Sequence, residues 1–242
     1  MFVNGTQGNI SMGHSSELSA IGVITPGRTF ERAAELGHLL ADAALVALPD
    51  IATSDITELG ALTIPINLPL KQYPPLEVAV KSLKDADEHL AKLTAEGAPP
   101  EQIMPAKTQR LYASITNFYA REALALPDGH LPIELQGFRL GGAAFVAIPG
   151  EVFVEIGLAL KRQLPHMIFV VGIANGYIGY LPTREAYMAG GYEVVSSKCQ
   201  PEAADILIEK VAGLTERLFS EGANGAKTSF ASTLNRESTN DR

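Results

Sequence analysis

The chain has 242 residues, of which 46% are hydrophobic, and a formal net charge of −8 at pH 7. This length and hydrophobic content allow a packed core and exclude a disordered protein, and a negative charge without a basic run argues against a nucleic-acid partner. The single cysteine, Cys199, excludes an internal disulfide and is expected to be an ordinary free thiol.

The N-terminal residues, MFVNGTQGNISMG, lack the basic start and long apolar core of a signal peptide. No apolar run approaches the ~18 residues that a membrane span needs, so the chain is expected to be soluble and to have no transmembrane segment. The compartment stays open. Phe2 and Val3 resemble the end of a strand, which indicates that the chain opens within an element.

Residues 4–16 are predicted to form a tight loop, because Gly5, Gly8 and Gly13 punctuate it. Ser11 is flanked there by small or polar neighbours, and glycines let a backbone approach a ligand closely. A plain surface turn is the alternative. His14, three residues after Ser11, is the one histidine in a candidate loop.

A helix and an extended segment come next. Residues 29–48 have apolar side chains at helical spacing and predict a packed, alanine-rich helix. Residues 61–70 have an extended pattern, but Pro65 and Pro69 restrict them to an edge strand or a covering loop.

A helical hairpin is predicted from residues 76–93 and 106–124, which are separated by a break at residues 98–100. We expect this hairpin to cover another part of the fold. The apolar stripe of its first helix comprises Leu76, Val80, Leu83 and Leu90.

Strands dominate the next part of the chain. Residues 131–140 alternate in polarity, and Gly141 and Gly142 separate them from residues 143–148, which is the pattern of a two-residue β-hairpin. Pro149-Gly150-Glu151 ends the second strand and opens a helix, and a strand at 167–174 follows. Strand, helix and strand within about 30 residues predict a right-handed parallel βαβ unit.

The last predicted helix begins at Pro201 and has Leu207, Val211, Leu214 and Leu218 on one face, which should dock on the sheet. From Glu221 onward the chain is polar and without periodicity, so residues 221–242 are expected to be a disordered tail. The predicted fold is α/β, a mixed sheet with a βαβ unit and covering helices.

Residues 172–193, GIANGYIGYLPTREAYMAGGYE, follow the strand of the βαβ unit and contain four of the seven tyrosines. In the βαβ unit this segment and Glu151 leave neighbouring strand ends, so both are expected at one rim of the sheet. Tyr180 and Tyr192 could donate hydrogen bonds to a developing oxyanion, or one of them could bind a metal.

Glu151 has three possible roles: metal ligand, general base, or an acid that only stabilises a helix N-terminus. The sequence contains no His-x-His, HExxH, cysteine pair, G-x-S-x-G, Walker or Rossmann pattern. A self-contained zinc site would contain more nitrogen ligands.

Three motifs together carry a family resemblance: NGTQGNIS around Ser11, Pro149-Gly150-Glu151, and NGYIGY with the tyrosines and glutamates up to residue 193. They resemble the nucleophile loop, the Pro-Gly-Glu motif and the tyrosine-rich segment of the neutral (non-lysosomal) ceramidase family. The resemblance extends over about residues 2–220.

The resemblance implies a zinc-dependent amidohydrolase that cleaves an N-acyl bond, as in ceramide or a related lipid amide. It implies Ser11 as the active serine, Glu151 and Tyr180 as zinc ligands, and Tyr192 as the active-site tyrosine that stabilises the oxyanion. Whether Ser11 or a zinc-bound water attacks the carbonyl stays open.

The chain departs from the family pattern, with Asn9 in place of an aspartate, Met12 in place of a proline, and Leu181-Pro182-Thr183 in place of Val-Thr-Thr. These differences suggest a divergent bacterial-type branch. The family's two zinc-ligand histidines and an active-site arginine lie upstream of the serine loop, and none of the five histidines of this chain matches them.

Residues 1–220 are therefore expected to be the C-terminal part of such a catalytic domain, with an exposed sheet edge or apolar patch where strands are missing. An upstream half or a partner chain would complete the site. The alternative is a catalytically inactive binding or interaction domain that holds an acyl or amide ligand.

Overall fold

A four-stranded mixed sheet forms the centre of the structure, a computed structural model that describes residues 2–53, 55, 56 and 58–221. The strands are β1 (Leu59–Pro69), β2 (His130–Leu140), β3 (Ala143–Ile148), β4 (Glu151–Val152), β5 (Met167–Gly172) and β6 (Tyr180–Leu181). The helices are α1 (Ser16–Ala20), α2 (Phe30–Ala47), α3 (Leu76–Ala95), α4 (Pro100–Ala123), α5 (Val154–Gln163), α6 (Arg184–Ala189), α7 (Tyr192–Val195) and α8 (Ala203–Glu221), and a short 3-10 helix, Leu48–Asp50, follows α2.

The strand order of the sheet is β1-β2-β3-β5, while β4 and β6 form a separate parallel pair. β2 is antiparallel to both β1 and β3, and β3 is parallel to β5. The predicted α/β class, the edge strand, the two-residue hairpin at Gly141 and Gly142 and the parallel βαβ unit are confirmed.

One face of the sheet packs against α8 and α5. The four apolar side chains predicted on α8 are all at most 3% exposed, and they share a core with inward-facing sheet residues such as Leu135 and Val146. Gly137 makes room for α8, because a Cβ at this position would lie 3.2 Å from Leu214 Cδ2. The predicted docking of the last helix is confirmed.

The opposite face of the sheet is apolar and largely uncovered. Phe138, Phe145 and Phe169 are paired in register on β2, β3 and β5, and the last two rings stack with centroids 4.8 Å apart. Phe138 is 45% exposed and Phe169 is 37% exposed. Both an edge strand, β5, and an apolar patch are therefore present.

Helix α2 has the predicted extent but not the predicted packing. None of its residues is buried, and Phe30 is 91% exposed. The prediction of a packed helix was wrong because spacing shows which residues share a face and not what that face contacts.

The helical hairpin of α3 and α4 is confirmed, with two corrections. Helix α4 begins six residues earlier than predicted, at Pro100, since proline is favoured in the first turn of a helix. The buried positions of α3 include Ala79 and Ala86, whereas Val80 is exposed. Helix α4 also packs against α7, so the hairpin borders the tyrosine-rich segment.

Both ends of the chain differ from expectation or lie outside the described part. Phe2 and Val3 form no strand, although the backbone carbonyl of Asn4 accepts a hydrogen bond from the Gly172 N–H at 3.0 Å. Glu221 ends α8, and the rest of the predicted tail, 222–242, lies outside the described residues. Within the described ranges, none of the helices could cross a bilayer.

Candidate active site

Backbone contacts fix the serine loop, residues 4–16, against the β4–α5 segment. The Gly8 N–H donates to the Val152 carbonyl at 2.8 Å. A Cβ on Gly8 would lie 2.9 Å from the Glu151 carbonyl carbon and still closer to its oxygen. Only glycine therefore allows this approach, and it brings a loop near the N-terminus next to Glu151.

Asn9 caps α5 from a distance of 145 residues along the chain. Its Oδ1 accepts from the Val154 N–H at 2.9 Å, and its Nδ2 donates to Glu155 Oε2 at 2.9 Å. Phe153, the N-cap residue by position, offers no side-chain cap. An asparagine can make both bonds, whereas an ionised aspartate could accept the first but not donate the second.

Ser11 lines a surface cavity of about 510 Å³ together with His14, Glu17, Tyr192 and Glu193. The Ser11 Oγ donates to the His14 carbonyl at 3.0 Å and accepts from the Gly13 N–H at 3.1 Å. His14 Nδ1 is buried and has no hydrogen-bond partner among the described residues. The serine hydroxyl is thus held by the backbone of its own loop.

Glu151 lies in β4, directly opposite Tyr180 of β6 in the parallel pair. The prediction that Glu151 opens a helix was wrong, because α5 begins only at Val154 and Glu151 donates its N–H to the Gly179 carbonyl at 2.9 Å. A helix dipole does not govern this carboxylate. Its side chain accepts a hydrogen bond from Tyr177 Oη at 2.6 Å.

Tyr192 connects the two parts of the site. Its ring meets the Tyr180 ring edge-on at a centroid distance of 6.0 Å, and it also lines the cavity that contains Ser11. The cavity wall does not include Glu151 or Tyr180. We refer to the four predicted site residues as one cluster in this sense: Ser11 and Tyr192 line the same cavity, Tyr192 packs against Tyr180, and Tyr180 is paired with Glu151.

Two phenols beside Glu151, those of Tyr180 and Tyr177, are protonated at neutral pH. Burial raises the pKa of Tyr180 and of Tyr177 above its usual value, and the nearby Glu151 carboxylate raises both further. Burial also raises the pKa of Tyr119 to about 12. A protonated phenol can donate to a developing negative charge, which is the chemistry an oxyanion site needs.

Sequence reasoning gave no site role to Tyr119 or Tyr177. Tyr119 lies on α4 and donates to the Ser196 carbonyl at 3.0 Å, beside Gly179. Its position next to the stripe of an amphipathic helix gave no signal of this contact. Tyr177 was visible in the tyrosine-rich segment and Glu151 was expected at the same rim of the sheet, but the sequence did not show that the two are hydrogen-bonded.

Metal ligands are sparse in the part of the chain that the structure describes. It contains no group of three or more His, Cys, Asp or Glu side chains that could hold an ion. Glu151 and Tyr180 are neighbouring oxygen donors on paired strands, which is compatible with two positions of a zinc site and not with a complete one.

The pKa shifts predict how stability depends on alkaline pH. Burial raises the pKa of Cys199, Tyr119 and Tyr187 to about 12, from ordinary values of 9 and 10. Their contribution is therefore full below about pH 9 and is lost as the pH rises towards 12. Burial lowers the pKa of Lys71 to about 8, which has the opposite sign between pH 8 and 10.5. It is one group against these three and further tyrosines with raised pKa values, Tyr177 and Tyr180 among them.

The urea midpoint is expected to fall between pH 9 and pH 11, and to fall less in Cys199→Ala. Equilibrium unfolding followed by circular dichroism measures this. A midpoint that rises over this range would contradict the assignment of these groups as buried and neutral.

Curated proteins that are similar in sequence to this chain include two neutral ceramidases. No protein-family model matches the chain. The neutral ceramidase of Pseudomonas aeruginosa is 27% identical over 135 residues, 50% of this chain and 19% of that protein. The neutral ceramidase of Mycobacterium tuberculosis is 28% identical over 145 residues, 56% of this chain and 21% of that protein.

Two solved structures are also similar. A ceramidase complexed with C2 and the neutral ceramidase from Pseudomonas aeruginosa are each 28% identical, with TM-scores of 0.31 over 37% of this chain and 15% and 16% of those chains. The matched part spans about a fifth of the length of the curated relatives.

Proposed function

Because the chain is a divergent relative of the neutral ceramidases, we propose that it serves in hydrolysis of an N-acyl amide bond, in ceramide or a related lipid amide. The observation that carries the proposal is the meeting of Ser11 and Tyr192 in one cavity, with Tyr180 and Glu151 continuing the cluster. These residues come from three distant parts of the chain.

In this proposal the substrate carbonyl lies in the cavity between Ser11 and Tyr192. Attack by the serine oxygen, or by a water in its place, moves the carbonyl electron pair onto oxygen and makes a tetrahedral intermediate. Tyr192 donates its hydroxyl hydrogen to that oxyanion. Collapse of the intermediate breaks the C–N bond as the proton given up by the attacking hydroxyl or water passes to the leaving nitrogen. After attack by serine, a water then hydrolyses the acyl-serine ester and releases the fatty acid.

Glu151 and Tyr180 would supply two oxygen ligands to a zinc ion, and the remaining ligands would come from outside the described residues. Zinc, when bound, polarises an amide carbonyl or makes a bound water more acidic. Since two ligands hold zinc poorly, we expect weak zinc binding by this chain alone and tighter binding when a second polypeptide segment completes the site.

A catalytically inactive binding domain is the second candidate. It is favoured by the backbone contacts that occupy the Ser11 hydroxyl and by the incomplete metal ligand set among the described residues. Such a domain would bind an N-acyl lipid but release no fatty acid, with or without zinc.

Tyr192→Phe tests the proposal through fatty-acid release from a short-chain ceramide with zinc present. The chain is assayed alone and mixed with a polypeptide that carries the part of the family's catalytic domain preceding the serine loop. Loss of the phenol donor is expected to lower kcat about 100- to 1000-fold with little change in KM.

Tyr73→Phe is the matched control. Its hydroxyl has no hydrogen-bond partner among the described residues, and it lines a separate apolar pocket. Equal kcat for Tyr192→Phe and wild type would count against the oxyanion role, and no release by wild type in either format would favour the binding domain.

A further inference from the structure

Tyr177 reaches Glu151 without being packed into the core. Its Oη donates to Glu151 Oε1 at 2.6 Å, yet the residue is 60% exposed. Burial of the ring therefore does not explain where this side chain lies. The backbone that carries it must provide the explanation.

That backbone, the loop 173–179 between β5 and β6, adopts left-handed conformations at four of its seven positions. Ile173 has φ 53° and Asn175 has φ 62°, and Gly176 and Gly179 have φ 125° and 87°. A β-branched residue in this region is a strong outlier, because its side chain crowds the backbone. Such strain persists only where surrounding contacts impose it, and it concentrates at functional sites.

Three backbone hydrogen bonds tie this loop to the segment that leads into Glu151. The N–H groups of Ile173, Ala174 and Ile178 donate to the carbonyls of Gly150, Ile148 and Pro149 at 3.1, 3.1 and 2.7 Å. On the other side, Asn175 Nδ2 donates to Glu134 Oε1 at 3.1 Å. The loop is thus wrapped around residues 148–151, and Tyr177 projects from it onto Glu151.

We propose that Tyr177 is a positioning residue that orients the Glu151 carboxylate. By binding Oε1 it fixes the rotation of the carboxylate, next to Tyr180, which lies opposite Glu151 in the parallel pair. A carboxylate that is held by a second hydrogen-bonding group keeps its geometry when it binds a metal or substrate. This inference rests on the proposed role of Glu151, but it adds a residue to which the family resemblance gave no role.

The alternative is a surface hydrogen bond between an exposed tyrosine and a glutamate that does not affect ligand binding by Glu151. Two measurements separate these cases, on Tyr177→Phe, which removes only the hydroxyl. Tyr187→Phe is the matched control, since Tyr187 Oη bonds the Cys199 carbonyl at 2.6 Å and Ser197 Oγ at 3.0 Å.

The first measurement is the carboxyl resonance of Glu151 in protein with ¹³C-labelled glutamate, assigned by its loss in Glu151→Gln. The chemical shift of this resonance is expected to change in Tyr177→Phe and to stay the same in Tyr187→Phe. The second is the zinc dissociation constant, from competition with a chromophoric chelator. It is expected to rise about 10- to 100-fold in Tyr177→Phe and to change less than about twofold in the control.

A Glu151 resonance that does not move overturns the contact. A resonance that moves without a loss of zinc affinity overturns the positioning role. If the wild-type chain binds no zinc at all, the proposed metal role of Glu151 fails together with the positioning role that rests on it, and a resonance that still moves shows that the hydrogen bond itself survives that failure.

Discussion

Replacing Ser11 with alanine is expected to lower kcat/KM for N-acyl amide hydrolysis at least about 1000-fold, if serine is the attacking group. The side chain lines the cavity that also contains Tyr192, and its Oγ is held by the backbone of His14 and Gly13. Alanine removes the nucleophilic oxygen together with its hydrogen bonds to the His14 carbonyl and the Gly13 N–H. Steady-state fatty-acid release measures the effect.

Ser220→Ala is the control for this substitution, because Ser220 lies exposed on α8 and its Oγ donates to the Arg217 carbonyl at 3.3 Å. It should leave turnover unchanged. Near-normal turnover of Ser11→Ala, less than about a tenfold loss, would discard the serine-nucleophile version and leave attack by water.

Gly8→Ala is expected to damage stability and turnover together. The added methyl would meet the backbone of Glu151, 2.9 Å from its carbonyl carbon, and backbone cannot move aside as a flexible side chain can. The loop must shift and lose the 2.8 Å hydrogen bond from Gly8 to Val152. Such overpacking costs about 1–3 kcal/mol of unfolding free energy. A displacement of about 1 Å at Ser11 can lower turnover about 100-fold.

Gly5→Ala is the matched control in the same loop, since a Cβ at Gly5 would meet nothing within 4 Å. Urea unfolding and kcat/KM are measured on both variants. Indistinguishable results for Gly8→Ala and Gly5→Ala would mean that the serine loop does not lie against Glu151 in solution.

Much of the sheet could be predicted from the sequence because its signals are local. Two glycines between an alternating segment and an apolar one define the β2–β3 hairpin, and the apolar stripe from Leu207 to Leu218 defines the buried face of α8. In each case a few neighbouring residues fix the element and its partner.

Other features depend on distant parts of the chain and left no local trace. The apolar stripe of α2 predicted burial, but no described element covers it. Glu151 follows a strand and precedes a helix, and only pairing with Tyr180 places it in β4 instead of at the start of that helix. The cap that Asn9 provides for α5 spans 145 residues, so no local pattern could reveal it.

For the candidate site, the resemblance supplied Ser11, Glu151, Tyr180 and Tyr192 as proposals, and the residue types alone left their roles open. The hydrogen bond from Tyr177 to Glu151 could not be predicted, because the loop that carries Tyr177 has left-handed backbone at residues such as Ile173. A β-branched residue such as isoleucine disfavours that conformation, so the sequence predicts a negative φ there. Backbone geometry imposed by tertiary contacts decided this part of the site.

The central claim is that one site containing Ser11 and Tyr192 cleaves an N-acyl amide. The most direct measurement is fatty-acid release by wild type, Ser11→Ala, Tyr192→Phe and the double variant, with zinc and the completing polypeptide. If the two residues act in one step, the double variant should be no slower than Ser11→Ala, because groups that act as a unit are not additive. Full release by both single variants, or losses that multiply in the double variant, would contradict a shared site.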